Sequence, residues 1–217
     1  MDSSTHWQSV YTQKSPDSVS WFQAEPTHSL TLIRAVTPSL DASIVDIGGG
    51  ASTLVDALLA SGYTALTVLD LAPAALQHAR DRLGPAGAPV MWVAADVLTV
   101  DFPAASVDVW HDRAVFHFLT QPDARAQYLA QVRRAVRAGG HVVIATFAED
   151  GPTRCSGLEV ARYAPHELQE AFGPGFVLVS SAREVHVTPS GATQAFTYGV
   201  FRWQGDRSAP LNSREDR

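Results

Sequence analysis

Apolar residues follow two alternating rhythms along this chain. Short runs rich in β-branched residues at 43–47, 65–69, 90–94, 107–111 and 141–147 read as buried strands. Between them, apolar residues recur at helical spacing over 28–36, 52–61, 73–83 and 121–138. Pro73 suits the first turn of its helix, and Gly84-Pro85 breaks it. Gly139-Gly140 is expected to cap the helix over 121–138. A short helix at 165–172 precedes two long strands, 176–187 and 194–203, joined by a turn at Thr188-Pro189-Ser190-Gly191. Strands alternating with helices imply a parallel sheet, and the closing hairpin implies an antiparallel edge. The expected fold is therefore α/β, a doubly wound seven-stranded sheet, mostly parallel. One domain is expected over 1–204, its first 36 residues forming a helical lid, and 205–217 reads as a disordered tail.

The 217 residues suffice for one α/β domain with a sizeable core. No apolar run approaches the ~20 residues that cross a bilayer, and the polar start Met1-Asp2-Ser3-Ser4 does not read as a signal peptide. Cys155 is the sole cysteine, so no internal disulfide can form, and a cytoplasmic location is expected. A net charge of −6 speaks against nucleic acid as the main partner. Lys14 stands alone as a lysine against fifteen arginines, a bias expected of a GC-rich bacterial coding sequence rather than of chemistry.

The segment that carries chemistry is Ile44-Val45-Asp46-Ile47-Gly48-Gly49-Gly50-Ala51-Ser52. An apolar strand ends in a carboxylate and opens into glycines, where no Cβ keeps a ligand from the backbone. The next strand ends at Asp70, about 20 residues on, the spacing at which a βαβ nucleotide site holds its ribose. The third strand leads to Asp96. Ligands on open sheets sit at the carboxyl ends of the strands, which nominates Asp46, Gly48, Gly49, Gly50, Asp70 with Leu71, and Asp96 with Val97. A nucleoside-like cofactor is expected. Thr53 stands where a dinucleotide fingerprint needs its third glycine, and Asp46 would repel a pyrophosphate but suits a cationic amino group.

In these residues the chain resembles the class I S-adenosylmethionine (SAM) dependent methyltransferases, whose first motif reads (D/E)-x-G-x-G-x-G, with Ser52 in place of the last glycine. The resemblance implies a Rossmann-like sheet, SAM as cofactor with S-adenosylhomocysteine as product, and contact between Asp96 and the adenine amine. The start, Trp7-x3-Tyr11-x2-Lys14 with Trp21-Phe22, together with Asp112-Arg113, is similar to the branch holding the elongation-factor lysine methyltransferases and their bacterial relatives. That branch carries D-K-G where this chain has Asp112-Arg113-Ala114, so its substrate type is not carried across.

Tyr11 and Trp21 are expected to line the pocket, where aromatic faces attract a sulfonium and exclude water. After the fourth strand, His111, Asp112 and His117 are the catalytic candidates: one histidine is expected to face substrate and take a proton near neutral pH and the other to be structural, with His111 or Asp112 the first choice, before His117, for contacting substrate or the SAM amino end. His-Asp-x4-His is no ligand pattern, so no metal is expected. Arg154 could clamp an anion and Cys155 could be reactive or inert packing; neither role is decided by the sequence. The leading expectation is methyl transfer to a small molecule bearing a thiol, selenide or hydroxyl. The alternative is a protein lysine methyltransferase. A SAM-binding regulator and a nicotinamide oxidoreductase rank lower, and membrane partners are not expected. Whether the protein is a monomer or homodimer stays open.

Overall fold

A computed structural model describes residues 3–205, so all but the first residue of the expected tail lies outside the described residues. The main sheet holds β1 (Ser43–Ile47), β2 (Ala65–Asp70), β3 (Met91–Ala94), β4 (Val107–Arg113), β5 (Val136–Phe147), β8 (Phe176–Val187) and β9 (Thr193–Trp203), in the order β3-β2-β1-β4-β5-β9-β8. The pairs among β1 to β5 are parallel; β5 with β9 and β9 with β8 are antiparallel. This is the expected seven-stranded architecture. The chain runs outward from β1 to β3 and then returns to β4, so the switch point lies between β1 and β4, where a crevice opens at the strands' carboxyl ends.

Helices cover both faces. Ile33 of α2 (Thr27–Val36), Leu54, Val55 and Leu58 of α3 (Leu54–Ala60) and Leu76 of α4 (Pro73–Leu83) pack on Ile44, Val68, Val109 and Val143. On the opposite face, Tyr128, Leu129 and Val132 of α5 (Pro122–Ala135) join Leu168 and Phe172 of α6 (Pro165–Phe172) against Val45, Trp110, Ile144 and Phe201. Proline opens α4, α5 and α6, where its missing N–H is no loss. Among the described residues no helix is long and apolar enough to cross a membrane.

One local expectation needs correction. The helix over 121–138 stops at Ala135, and β5 starts at once with Val136. Gly139-Gly140 is therefore not a cap. It lies in an irregularity of the β4–β5 ladder, where the register jumps from Val107↔Val136 to Val109↔His141 and Gly139 takes φ +86°. The amino-terminal segment contains a helix of its own, α1 (Ser3–Gln13). The loop after β5 folds into a two-stranded hairpin, β6 (Arg154–Cys155) with β7 (Leu158–Glu159).

Candidate active site

A cavity of about 380 Å³ opens at the carboxyl ends of β1, β2 and β4. Gly48, Asp70, Leu71, Asp96 and Val97 form one end; Arg113, Ala114 and Phe118 lie beyond, with Cys155 and Leu158 of the hairpin. Trp7, Tyr11 and Trp21 come from α1 and the segment after it. Trp21 donates its indole N–H to the Tyr11 hydroxyl at 3.2 Å, and the Trp7 ring packs edge-on against Trp21 and Phe118. The helix is fastened to α4, where His78 Nε2 meets the Tyr11 carbonyl at 2.9 Å and Ala74 N–H donates to Gln8 at 3.1 Å. His6 reaches Ser156 at the hairpin tip. An aromatic roof thus covers the crevice.

The glycine turn explains itself sterically. Gly48 has φ +66°, and a Cβ there would strike Val115. At Gly50 a Cβ would strike the Asp70 carboxylate and Ala75. Ser52 Oγ accepts the N–H of Leu54 at 3.1 Å and so supports the start of α3. Arg82, unremarked in the sequence, holds the turn from outside by donating to the carbonyls of Ala51 and Ser52 and pairing with Asp56.

Asp70 is buried and accepts the backbone N–H of Ala72 at 2.8 Å and that of Gly50. Burial raises its pKa to about 7, with the Asp46 charge adding to the rise. Asp96 accepts the N–H of Leu98 at 2.8 Å.

The three catalytic candidates separate. His111 lines a smaller recess of about 50 Å³ beside the glycine turn, shared with Asp46, Gly48, Gly49 and Ser29. Its Nδ1 lies 2.7 Å from Asp46 Oδ1 and its Nε2 2.9 Å from Ser29 Oγ. A carboxylate only accepts, so Nδ1 carries the proton of that pair. Asp46 Oδ2 is buried with no hydrogen-bond partner. Asp112 points into the opposite face of the sheet, where it accepts from the Tyr128 hydroxyl at 2.6 Å and from the N–H groups of Val115 and Phe116. Burial lifts its pKa to about 6. His117 is fully buried against Phe118 and Phe147, and desolvation lowers its pKa to about 3, which keeps it neutral. Asp112 and His117 line neither space. The alternation of a strand explains the split, since neighbours His111 and Asp112 must face opposite sides.

The sequence had singled out neither Arg113's work nor its partners. Its Nε donates to the Tyr198 hydroxyl at 3.1 Å and Nη1 to the Trp21 carbonyl at 3.0 Å, and the guanidinium sits 4.3 Å over Phe196. Nη2 lies 3.6 Å from Glu184, which also accepts from Gln23 at 2.9 Å. The roof segment is thereby tied to β8 and β9. A charged residue after β4 was visible; its distant partners were not. Lys14 is exposed, and Arg154 pairs with Glu159 on the hairpin at 3.4 Å.

Residues 44–140 match a family described as a methyltransferase domain. A solved structure reported with the conversion of a disulfide bond into a thioacetal group during echinomycin biosynthesis superposes with TM-score 0.77, 21% identity and 95% of each chain covered. The two chains share one Rossmann-like α/β fold. A second structure with it is the Burkholderia thailandensis 1,6-didemethyltoxoflavin-N1-methyltransferase bound to S-adenosylhomocysteine, at TM-score 0.69 and 22% identity over 93% of this chain and 84% of that one. Among sequence relatives, an uncharacterized methyltransferase of Mycobacterium tuberculosis is 30% identical over 120 residues, 55% of this chain and 58% of that protein's length. The EEF1A lysine methyltransferase 2 of Danio rerio is 26% identical over 166 residues, 73% of this chain and 65% of the relative.

Proposed function

We propose that this protein transfers a methyl group from S-adenosylmethionine to a small-molecule nucleophile of thiol, selenide or hydroxyl type. The observation that carries the reading is the single cavity joining Gly48, Asp70 and Asp96 beneath the aromatic roof of Trp7, Tyr11 and Trp21. The residues present fit the cofactor. Asp70 can accept two ribose hydroxyls and Asp96 the adenine amine. The unpartnered Asp46 Oδ2 suits a cationic amino group. When bound, SAM supplies an already activated methyl group, so the difficult chemistry is the cofactor's. The chain's share is to align, to exclude water with its roof, and to hold the acceptor in line.

A small acceptor is favoured by size. About 380 Å³ lies near the lower end of small-molecule sites, roughly 300–1,000 Å³, and a nucleoside cofactor takes most of it. The zebrafish relative keeps a protein lysine as the second reading. The test is calorimetric titration with SAM and with NAD, on the natural chain and on Asp70→Ala. Binding of SAM that Asp70→Ala abolishes supports the reading; binding of NAD and not of SAM overturns it.

A further inference from the structure

The acceptor end of the cavity lies beyond Arg113, towards an exposed rim at Ser3, Thr120 and Glu159. Its walls are Trp7, Trp21, Phe118 and the thiol of Cys155. Of the described residues lining the cavity, the titratable ones are Tyr11, Asp70, Asp96, Arg113, Cys155 and Glu159. Asp70 and Asp96 belong to the nucleoside end. Burial holds the Tyr11 hydroxyl far above its ordinary range and pushes the Cys155 thiol up to about 12, so neither takes part as a base near neutral pH. Glu159 stands in solvent and pairs with Arg154. The two histidines that could have deprotonated a hydroxyl are elsewhere, His117 sealed in the core and His111 engaged between Asp46 and Ser29.

We infer that the acceptor is a small thiol, or its selenium analogue, that arrives as the anion and needs no base from the protein. This rests on the methyl-transfer reading above. An alcohol or a lysine ammonium would have to surrender its proton at an acceptor end that offers no group to take it. A thiol, with an ordinary pKa near 8.5, is already a few per cent anion in neutral water, and that anion is the strong nucleophile. Three features of the site suit that anion. Arg113 is the one permanent cation lining the cavity among the described residues, and its charge attracts an anion to the acceptor end. Aromatic edges make favourable contacts with polarisable sulfur. The step also neutralises charge. The acceptor sulfur's electron pair forms the new carbon–sulfur bond as the sulfonium's methyl–sulfur bond breaks, its pair staying on the cofactor as a neutral thioether. Anion and cation become two neutral molecules, a change that a water-poor, apolar cavity promotes.

The test is a matched panel under one set of conditions with radiolabelled SAM: 2-mercaptoethanol, ethanethiol, hydroselenide, ethylene glycol, ethylamine and a lysine peptide. Binding of S-adenosylhomocysteine is measured calorimetrically on the same preparation. The expected result is label in the thiol or selenide products, exceeding the alcohol and amines in kcat/KM by about 100-fold or more, the share a positioned base would otherwise contribute. Comparing the thiols with hydroselenide names the atom. Label passing to ethylene glycol, ethylamine or the peptide at comparable rates, or to none of the panel, overturns the inference while S-adenosylhomocysteine binding leaves the cofactor reading standing. Absence of that binding overturns both.

Discussion

Asp70 gives the sharpest quantitative prediction. In the free protein its carboxyl is buried beside the charged Asp46, which lifts its pKa to about 7. Ribose hydroxyls donate hydrogen bonds, and only the ionised carboxylate accepts two of them well. Ligand binding therefore competes with a proton. If only the ionised form binds, the apparent Kd scales as one plus the ratio of protonated to ionised Asp70. With a pKa of about 7 that factor is about 33 at pH 5.5 and about 1.3 at pH 7.5, a roughly 25-fold change or about 2 kcal/mol. Affinity should rise with pH across this window and level off above it.

Adenosine is the probe to use, because it carries the ribose without the amino-acid groups of SAM. Isothermal titration at pH 5.5, 6.5 and 7.5, in buffers of different ionisation enthalpy, reads both affinity and protons. About 0.75 proton should be released per adenosine at pH 6.5 for a group of pKa about 7. In Asp70→Asn both the pH dependence and the released proton should vanish. Flat affinity from pH 5.5 to 7.5 in the natural chain, or proton release that survives in Asp70→Asn, would refute the placement of the ribose on Asp70.

The same group predicts a stability effect of opposite sense. Its folded pKa lies above the unfolded value, so the folded state binds the proton more tightly and stability falls as pH rises from about 4 to 7. Asp70→Asn should thus raise Tm at pH 7.5, relieving at most about 4 kcal/mol, and raise it by less than half as much at pH 5, as thermal unfolding of the free protein would show. Asp112→Ala leaves the buried Tyr128 hydroxyl and two N–H groups unpaired; a loss of about 3–5 kcal/mol is expected, seen as a Tm lower by roughly 10 °C. An unchanged Tm with lost methyl transfer would instead place Asp112 in the chemistry. Ala114 holds φ +73°, so Ala114→Gly should be neutral or stabilise by up to about 1 kcal/mol in denaturant titration, whereas Ala114→Val should destabilise.

The sheet was legible because its signals are local. The β-branched run ending at Asp46, the glycines after it and the next strand ending at Asp70 fix one βαβ unit, and repetition of that unit dictates the rest. The end of α5 was not legible, because the helix runs directly into β5 and its two glycines serve a ladder irregularity that depends on β4. Around the cavity the limit was distance along the chain. Arg113 meets Trp21, Glu184 and Tyr198, and His111 meets Ser29; no short-range spacing announces such contacts. Strand alternation alone could have shown that His111 and Asp112 cannot both face one ligand. It could not say which of them would.

What the sequence could not reveal, the energetics of the folded chain do. Three unfavourable arrangements meet at the carboxyl ends of β1, β2 and β4: a carboxyl driven towards its protonated form at Asp70, an unpartnered oxygen at Asp46 and a left-handed backbone at Ala114. Each costs on the order of 1–4 kcal/mol, and folding by itself gains nothing from any of them. A ligand that donates two hydroxyls and an ammonium would relieve the first two in one event. The penalties therefore make binding and stability pull apart at these residues: the neutral variant Asp70→Asn should fold more firmly and bind adenosine less well. A residue kept only for packing would show both effects with the same sign.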